Sequence, residues 1–294
     1  MISSKKLSEV LNIDINETIY FDHIGNLSTK NKANVLSWLF DKQYIKELKN
    51  NSNITGVITT LEISKLINDY NIKIFISEDP MAHAIKLLNF QFSIAKIPSE
   101  IDSTANIHSS AYVSPHNVII GKNVIIEANS SIHSGSTIGD NCVIRSNVVI
   151  GGDNFGHVHN NRGDVITSLE KSHVILEKNV EVGHFSCIDL GDSGQNTIIG
   201  ANTKIHQKVQ ICHGNIIGKN CIIWGGVFVC GFCKIGDSVK IQPRVIISNN
   251  IKIGSKSYIG INSLVTQDVD DGKTFFAGRQ FSSKNILSKL NLKK

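Results

Sequence analysis

The sequence predicts a mainly β protein: a parallel β-helix of hexapeptide repeats, preceded by a small α/β domain and followed by a short C-terminal helix. Three observations carry this. Aliphatic residues recur every six positions at Ile199, Ile205, Ile211, Ile217, Ile223, Val229, Ile235, Ile241, Ile247, Ile253, Ile259 and Val265. The same step runs through Ile120, Ile126, Ile132, Ile138, Ile144 and Ile150, then Leu176, Val182 and Ile188, while Ile101, Ile107 and Val113 are offset by one residue. Turn residues follow in phase, as in Gly121-Lys122-Asn123, Gly139-Asp140-Asn141, Glu177-Lys178-Asn179, Gly200-Ala201-Asn202 and Gly218-Lys219-Asn220. A helix repeats at about 3.6 residues and an ordinary strand at about 2, so a period of six requires short strands stacked through equivalent corners. Gly and Asn crowd at those corners because they tolerate positive φ.

Residues 1–100 lack the period and alternate helix-like with strand-like stretches. Lys30 to Lys49 reads as helical in part, Ile54 to Thr59 as a strand, Thr60 to Asn68 as a helix and Ile72 to Ile76 as a strand. Met81 to Phe90 reads as a helix opened by Asp79-Pro80. A linker near residues 97–103 leads into the β-helix, 101–268. The repeat breaks twice, at the polar, glycine-rich stretch 151–173 and at Asp189-Leu190-Gly191-Asp192-Ser193-Gly194. Loops that leave a rigid repeat are favoured places for ligand contacts, with plain surface insertion as the alternative. Residues 269–294 form a tail in which Ser282 to Leu292 reads as a basic amphipathic helix covering the open end of the stack.

Composition narrows the function. The chain has 294 residues, 41% hydrophobic but only 6% aromatic, which suits an Ile/Val prism. The first 13 residues carry no apolar signal segment and no run is long enough to span a membrane, so the expected compartment is the cytoplasm. Net charge is +5 with lysines scattered among acids, which suits a phosphate-bearing small substrate and argues against nucleic acid. All six cysteines lie in the repeat region, a pattern read as reduced and structural.

Three segments in order, Gly152-Asp153-Asn154-Phe155-Gly156, Ile188-Asp189-Leu190-Gly191 with Thr197-Ile198-Ile199-Gly200, and Gln210-Ile211-Cys212-His213, resemble the bacterial UDP-3-O-acylglucosamine N-acyltransferases of the lipid A pathway. Glu78-Asp79-Pro80 and the helix after it resemble that family's N-terminal domain. The resemblance implies a left-handed β-helix, a homotrimer with active sites between subunits, a nucleotide-linked amino sugar (UDP or dTDP) as acceptor and an acyl thioester as donor. It calls for no bound cofactor and no metal; acyl-CoA or acyl-acyl carrier protein is a cosubstrate.

The resemblance makes His213 the general base. Histidine suits this role at neutral pH, although a solvated turn histidine is the ordinary reading of the residue alone. If a coil holds about 18 residues, Gly231 stacks on His213 and its N–H is placed to hold an oxyanion; an ordinary corner glycine is the alternative. Trp38, Asp41 and Tyr44 match the family's aromatic-x-x-Asn-x-x-Tyr base-stacking pattern, with Asp41 replacing Asn; core packing would explain the same spacing. Asp153, Phe155, Asp189, His206 and Asn250 are the remaining substrate-side candidates, and Trp224, Gly231 and Asn249 the donor-side ones.

Several positions depart from the family: His206 for an aspartate, Leu190 for arginine, Asn250 for histidine, Gly214 for asparagine and Trp224 for a small residue. Trp224 would narrow a groove for a long acyl chain, which favours a short acyl group from coenzyme A. The lipid A reaction with a 3-hydroxyacyl chain on acyl carrier protein is the alternative. Asp189, Glu181 and His206 are all candidates to orient His213. Two other readings compete: a zinc hydratase using His184, His206 and His213, and a non-catalytic assembly protein. Cys230-Gly231-Phe232-Cys233 is a lone C-x-x-C, short of the four ligands zinc normally takes.

Overall fold

The computed structural model describes residues 1–27, 29, 32–91, 96–168, 172–192, 194–276 and 279–282. The chain forms two units, one of Met1–Ala95 with Phe155–Glu170, the other of Lys96–Asn154 with Lys171–Lys294.

The second unit is the β-helix. Each six-residue step supplies a short strand whose last aliphatic residue points inward, and strands three steps apart pair in parallel, as Ile199 with Ile217 and Ile217 with Ile235. Three faces result. The first runs from Glu100–Ile101 to Lys252–Ile253 and the third from Tyr112–Val113 to Leu264–Val265, each with eight strands. The second begins at Asn106–Ile107 and has ten strands, because Lys273–Phe276 and Arg279–Ser282 extend it. The periodic Ile and Val residues fill one continuous core, joined by Cys142, Cys221 and Cys233. All six cysteines are free thiols.

The corners divide the labour between Asn and Gly differently from the sequence expectation. Positive φ falls on the asparagines, such as Asn123, Asn141, Asn202 and Asn220, and not on the glycines two positions before them. Those asparagines stack their amides along the axis, with Asn202 donating to Asn220 at 3.1 Å. The glycines are needed for close approach: a Cβ on Gly200 would lie 2.5 Å from the carbonyl carbon of Gly218 in the next coil.

The described part of the tail is a hairpin. Lys273–Phe276 pairs in parallel with Tyr258–Ile259 and antiparallel with Arg279–Ser282, and Phe275, 1% exposed, closes the end of the core. The expected helix lies outside the described residues except for Ser282, which is in the final strand.

The first unit contains β1 (Ile2–Ser3), α1 (Ser4–Leu11), β2 (Tyr20–Phe21), β3 (His23–Ile24), β4 (Val35–Leu39), α2 (Ile45–Lys49), β5 (Ile54–Thr59), α3 (Leu61–Ser64), β6 (Lys73–Ile76) and α4 (Pro80–Gln91). Strands β3 to β6 form a four-stranded parallel sheet with an apolar cluster on each face. The region Lys30 to Lys49, read as helical in part, holds the 3-10 turn Lys42–Tyr44 and α2 at its end, preceded by β4, where Val35, Leu36 and Leu39 serve opposite faces of a sheet. The helix expected over Thr60–Asn68 is a single turn, α3, with Thr60 capping Ile63 N–H. The start signal for α4 stands: Asp79 Oδ1 accepts from Ala82 N–H at 3.0 Å.

The 151–173 excursion does not belong to one unit. Residues 155–170 group with the first unit and contain an antiparallel hairpin, His157–His159 with Val165–Thr167. Asn161 N–H donates to Asp79 Oδ2 at 2.7 Å, Asn161 Nδ2 donates to the Glu78 carbonyl, and Asn89 Nδ2 to the Thr167 carbonyl at 3.0 Å.

Candidate active site

The corner after the third-face strand Gln210–Ile211 carries His213. Local hydrogen bonds fix its backbone. Gly214 N–H donates to Thr197 Oγ1 at 2.9 Å, and the fully buried Asn215 bridges coils by donating to the Cys212 carbonyl at 2.7 Å and accepting from Cys233 N–H at 2.9 Å. Gln195, from the five-residue insertion, donates its amide to the Gly214 carbonyl. The second interruption thus clamps the corner that bears the histidine.

Gly231 lies one coil on. A Cβ there would stand 2.5 Å from His213 Nε2, so only glycine leaves the ring its place. Phe232 meets the imidazole edge to face at 5.0 Å and 80°. The Gly231 N–H already donates to Asn249 Oδ1 at 2.9 Å. An incoming oxygen therefore has to replace the Asn249 amide, which occupies the site as an acceptor in the meantime. Asn250 sits beside it with φ +61 and donates its N–H to the Gly231 carbonyl at 3.0 Å, so its residue type is explained by the left-handed corner conformation.

On the preceding coil Asp189 is 8% exposed. Its carboxylate accepts from Gln210 Nε2 at 3.0 Å and from the Cys187 thiol at 3.3 Å. Burial pushes its pKa up; those two hydrogen bonds and the charge of His213 act against the rise, and Asp153 acts with it. The Cys187 and Cys212 thiols are driven to about 12, first by burial and then by the Asp189 charge. They are protonated neighbours of the acid, not nucleophiles.

Of the three acids and bases considered as partners for His213, Asp189 alone lies at its corner. Glu181 is held by Arg145 at 2.7 Å, and Arg145 also binds Glu127 at 2.8 Å. His206 lies at the corner between the second and third faces, where it lines a groove of about 430 Å³ with His184, Lys204, Arg145 and the half-buried Trp224. The donor set therefore divides within one chain: Gly231 and Asn249 follow the third face, Trp224 precedes it. Of the three histidines of the hydratase reading, His184 and His206 share that groove while His213 lies at the next corner, and among the described residues no cluster of three or more His, Cys, Asp or Glu is arranged to hold a metal.

In the first unit Trp38 packs on the cluster that contains Leu36, and Tyr44 on the cluster of Val35 and Leu39, across the sheet. The two side chains thus anchor on different apolar clusters, and both are only partly buried. Their spacing is not helical: Trp38 is in β4, whereas Tyr44 follows in the 3-10 turn Lys42–Tyr44. Asp41 caps that turn, accepting from Gln43 N–H at 2.9 Å and from its Nε2 at 3.0 Å. The neighbour of Tyr44 is Phe40, 5.9 Å away and 49% exposed, an aromatic the motif reading passed over. Phe155, 83% exposed, meets His157 edge-on at 4.7 Å. Gln210 and Thr197 were quoted in the motifs without a role, and Cys187 and Gln195 were not placed at the site; subtracting the five-residue insertion from the repeat would have stacked Gln210 on Cys187, as the register shows.

Comparison with known proteins gives the site its context. The family model described as bacterial transferase hexapeptide (six repeats) matches residues 117–152. A probable UDP-3-O-acylglucosamine N-acyltransferase 2, mitochondrial, of Arabidopsis thaliana is 35% identical over 126 residues, 43% of this chain but only 41% of that protein. The chain thus aligns with less than half of that relative. A UDP-3-O-acylglucosamine N-acyltransferase of Prochlorococcus marinus (strain MIT 9515) is 34% identical over 255 residues, covering 76% of this chain and 73% of the relative. The solved UDP-N-acetylglucosamine acyltransferase from Campylobacter jejuni matches with a TM-score of 0.51 and 24% identity over 62% of this chain and 71% of that one, a likeness of fold that makes the prism a left-handed β-helix. On the long alignment and the shared repeat architecture, the chain belongs to the UDP-3-O-acylglucosamine N-acyltransferase family.

Proposed function

We propose that this protein is an N-acyltransferase that moves a short acyl group from acyl-CoA to the amine of a nucleotide-linked amino sugar (UDP or dTDP) for a bacterial surface polysaccharide or lipopolysaccharide. The observation that carries the reading is the stacking of His213 Nε2 against Gly231, with the buried Asp189 at the same corner. His213 takes the proton as the amine attacks the thioester carbonyl. The C–N bond forms, the oxyanion displaces Asn249 Oδ1 from the Gly231 N–H, and the C–S bond then breaks with the proton passing from His213 to the departing thiolate. Asp189 orients the imidazole, while Asp153 and Phe155 contribute to the acceptor side. Asn250 acts through its corner backbone.

A homotrimer completes the site by bringing the Trp224 and His206 groove of one subunit to the His213 corner of the next. Trp224 in that groove favours the short acyl group; the alternative is the lipid A reaction, with a 3-hydroxyacyl chain on acyl carrier protein as donor partner. No helix among the described residues is long and apolar enough to cross a membrane, in keeping with a cytoplasmic enzyme acting on small substrates.

The test is thiol release from acetyl-CoA, 3-hydroxybutyryl-CoA and 3-hydroxymyristoyl-acyl carrier protein against a panel of UDP- and dTDP-amino sugars. Turnover with short acyl-CoA, reduced roughly 10²- to 10⁴-fold in His213→Ala, is expected. Turnover with the carrier-bound chain alone would establish the lipid A reaction instead.

A further inference from the structure

One backbone conformation at the site is out of place for its residue. The corner column that follows the third face runs through Gly214, Phe232 and Asn250, with φ of +65, +62 and +61. The register stacks them, pairing Ile211 with Val229 and Val229 with Ile247. Glycine has no Cβ to clash in this left-handed region and asparagine enters it more readily than most side chains, whereas a bulky ring there is an outlier. Elsewhere in the β-helix the same conformation falls mostly on asparagine, as at Asn123, Asn141, Asn202 and Asn220. Among the described residues Phe185 and Phe232 are the aromatic exceptions. Phe185 is 61% exposed, but Phe232 is half-buried at the corner that carries His213.

Three contacts place Phe232. Its backbone N–H donates to the His213 carbonyl at 3.0 Å, which ties the two corners together. Its ring meets the His213 imidazole at 5.0 Å between centroids and 80° between planes. On the preceding coil lies Gly214, where a Cβ would stand 2.7 Å from Phe232 Cδ1 and Cε1, so the ring fills the space that the missing side chain leaves. The imidazole is therefore bounded by the Gly231 backbone at Nε2 and by the Phe232 ring. Phenylalanine offers no hydrogen-bonding group, so it acts on the imidazole by shape alone. Residues held in sparsely populated backbone regions persist where their surroundings fix them, and they concentrate at functional sites. An asparagine at this corner would suit the backbone, as Asn250 does one coil on, but would leave the imidazole without its wall.

We propose that Phe232 is a positioning residue of the acyl transfer: its ring, held in a left-handed corner that favours asparagine, keeps the His213 imidazole turned toward Gly231, where the attacking amine and the oxyanion meet. The assignment rests on the N-acyltransferase reading above and adds to it a residue that acts through His213. The corner gives up stability for the orientation of the base. Orientation is where a small displacement acts strongly, since a shift of about 1 Å can cost roughly 100-fold in rate.

The experiment compares thiol release and melting temperature for the full chain and its Phe232→Asn, Phe232→Gly and Phe232→Tyr variants, with Phe232→Asn made also in the His213→Ala background. Phe232→Asn and Phe232→Gly both suit positive φ. Each is expected to melt at or above wild type while kcat falls roughly 10- to 100-fold with KM little changed. Phe232→Tyr keeps the ring and most of the activity. In His213→Ala the residual release is unchanged when Phe232→Asn is added, because the ring acts only through the imidazole. Wild-type kcat in both Phe232→Asn and Phe232→Gly overturns the assignment. So does a loss of the same factor in the His213→Ala background, or a fall in melting temperature in both variants that accounts for the lost activity and makes Phe232 a packing residue only. In each of those results wild type still turns over and the proposed function stands. No thiol release by wild type on any donor and amino sugar of the panel overturns the enzyme reading and this assignment with it.

Discussion

His213 Nε2 occupies the space into which a side chain on Gly231 would project, 2.5 Å from the position of its Cβ. The imidazole and the amide of Gly231 are therefore neighbours by necessity of the stack. Gly231 lacks the positive φ that would strain an alanine, so Gly231→Ala is expected to fold with little change in melting temperature but to push the ring aside. Activity should fall about 100-fold, in kcat more than in KM, because misplacement of a catalytic group acts on the transition state.

Asp189 makes a pH prediction with a definite sign. Its folded pKa is raised by burial, so the folded state holds the proton more tightly than the unfolded chain does. The ionised carboxyl therefore costs stability above the folded pKa, and the cost vanishes as pH falls below the ordinary carboxyl value of about 3.9. Asp189→Asn should melt higher than wild type at pH 7, with the two melting temperatures converging near pH 3. The same variant should lose activity, which thiol release would record.

The thiols around Asp189 should be chemically quiet. With Cys187 and Cys212 at about 12, their thiolate fraction at pH 8 is roughly 10³-fold below that of an ordinary cysteine near 8.5. Iodoacetamide labelling followed by peptide mass spectrometry should show both modified far more slowly than a free cysteine in solution. Removing the neighbouring charge with Asp189→Asn should speed the reaction, since that charge is the second cause of the shift.

Phe275 closes the core at its C-terminal end. Phe275→Ala should destabilise the protein by about 3–5 kcal/mol, the range for a fully buried aromatic, as measured by urea denaturation. A loss confined to a few tenths of that would mean the end of the stack is held by other parts of the tail.

The prism was legible because each six-residue step repeats one physical demand: an inward aliphatic, an outward residue and a corner. His213 and Gly231 became neighbours by counting alone. The first unit resisted the same treatment. Val35, Leu36 and Leu39 satisfy a helical spacing as well as a strand one, and the sheet decides between them only through β3 and β5, which are distant in sequence. Gln210 stood in a quoted motif but received no role, because the five-residue insertion before it hides its alignment with Cys187. The docking of Asn161 on Asp79 joins residues 82 positions apart, and no local pattern announces it.

The register across the two interruptions has a wider consequence. Ile150 still pairs with Ile188 after the long excursion, and Ile188 with Ile211 after the short one. Additions at a corner leave the translational order of the stack untouched, so the molecule behaves as a one-dimensional lattice on which decorations can be exchanged without refolding the rest. Chemistry and recognition can then vary separately: the column through His213 and Gly231, with Asp189 one position off it on the preceding coil, stays in step, while the segments hung between its rungs are free to change what is brought to it.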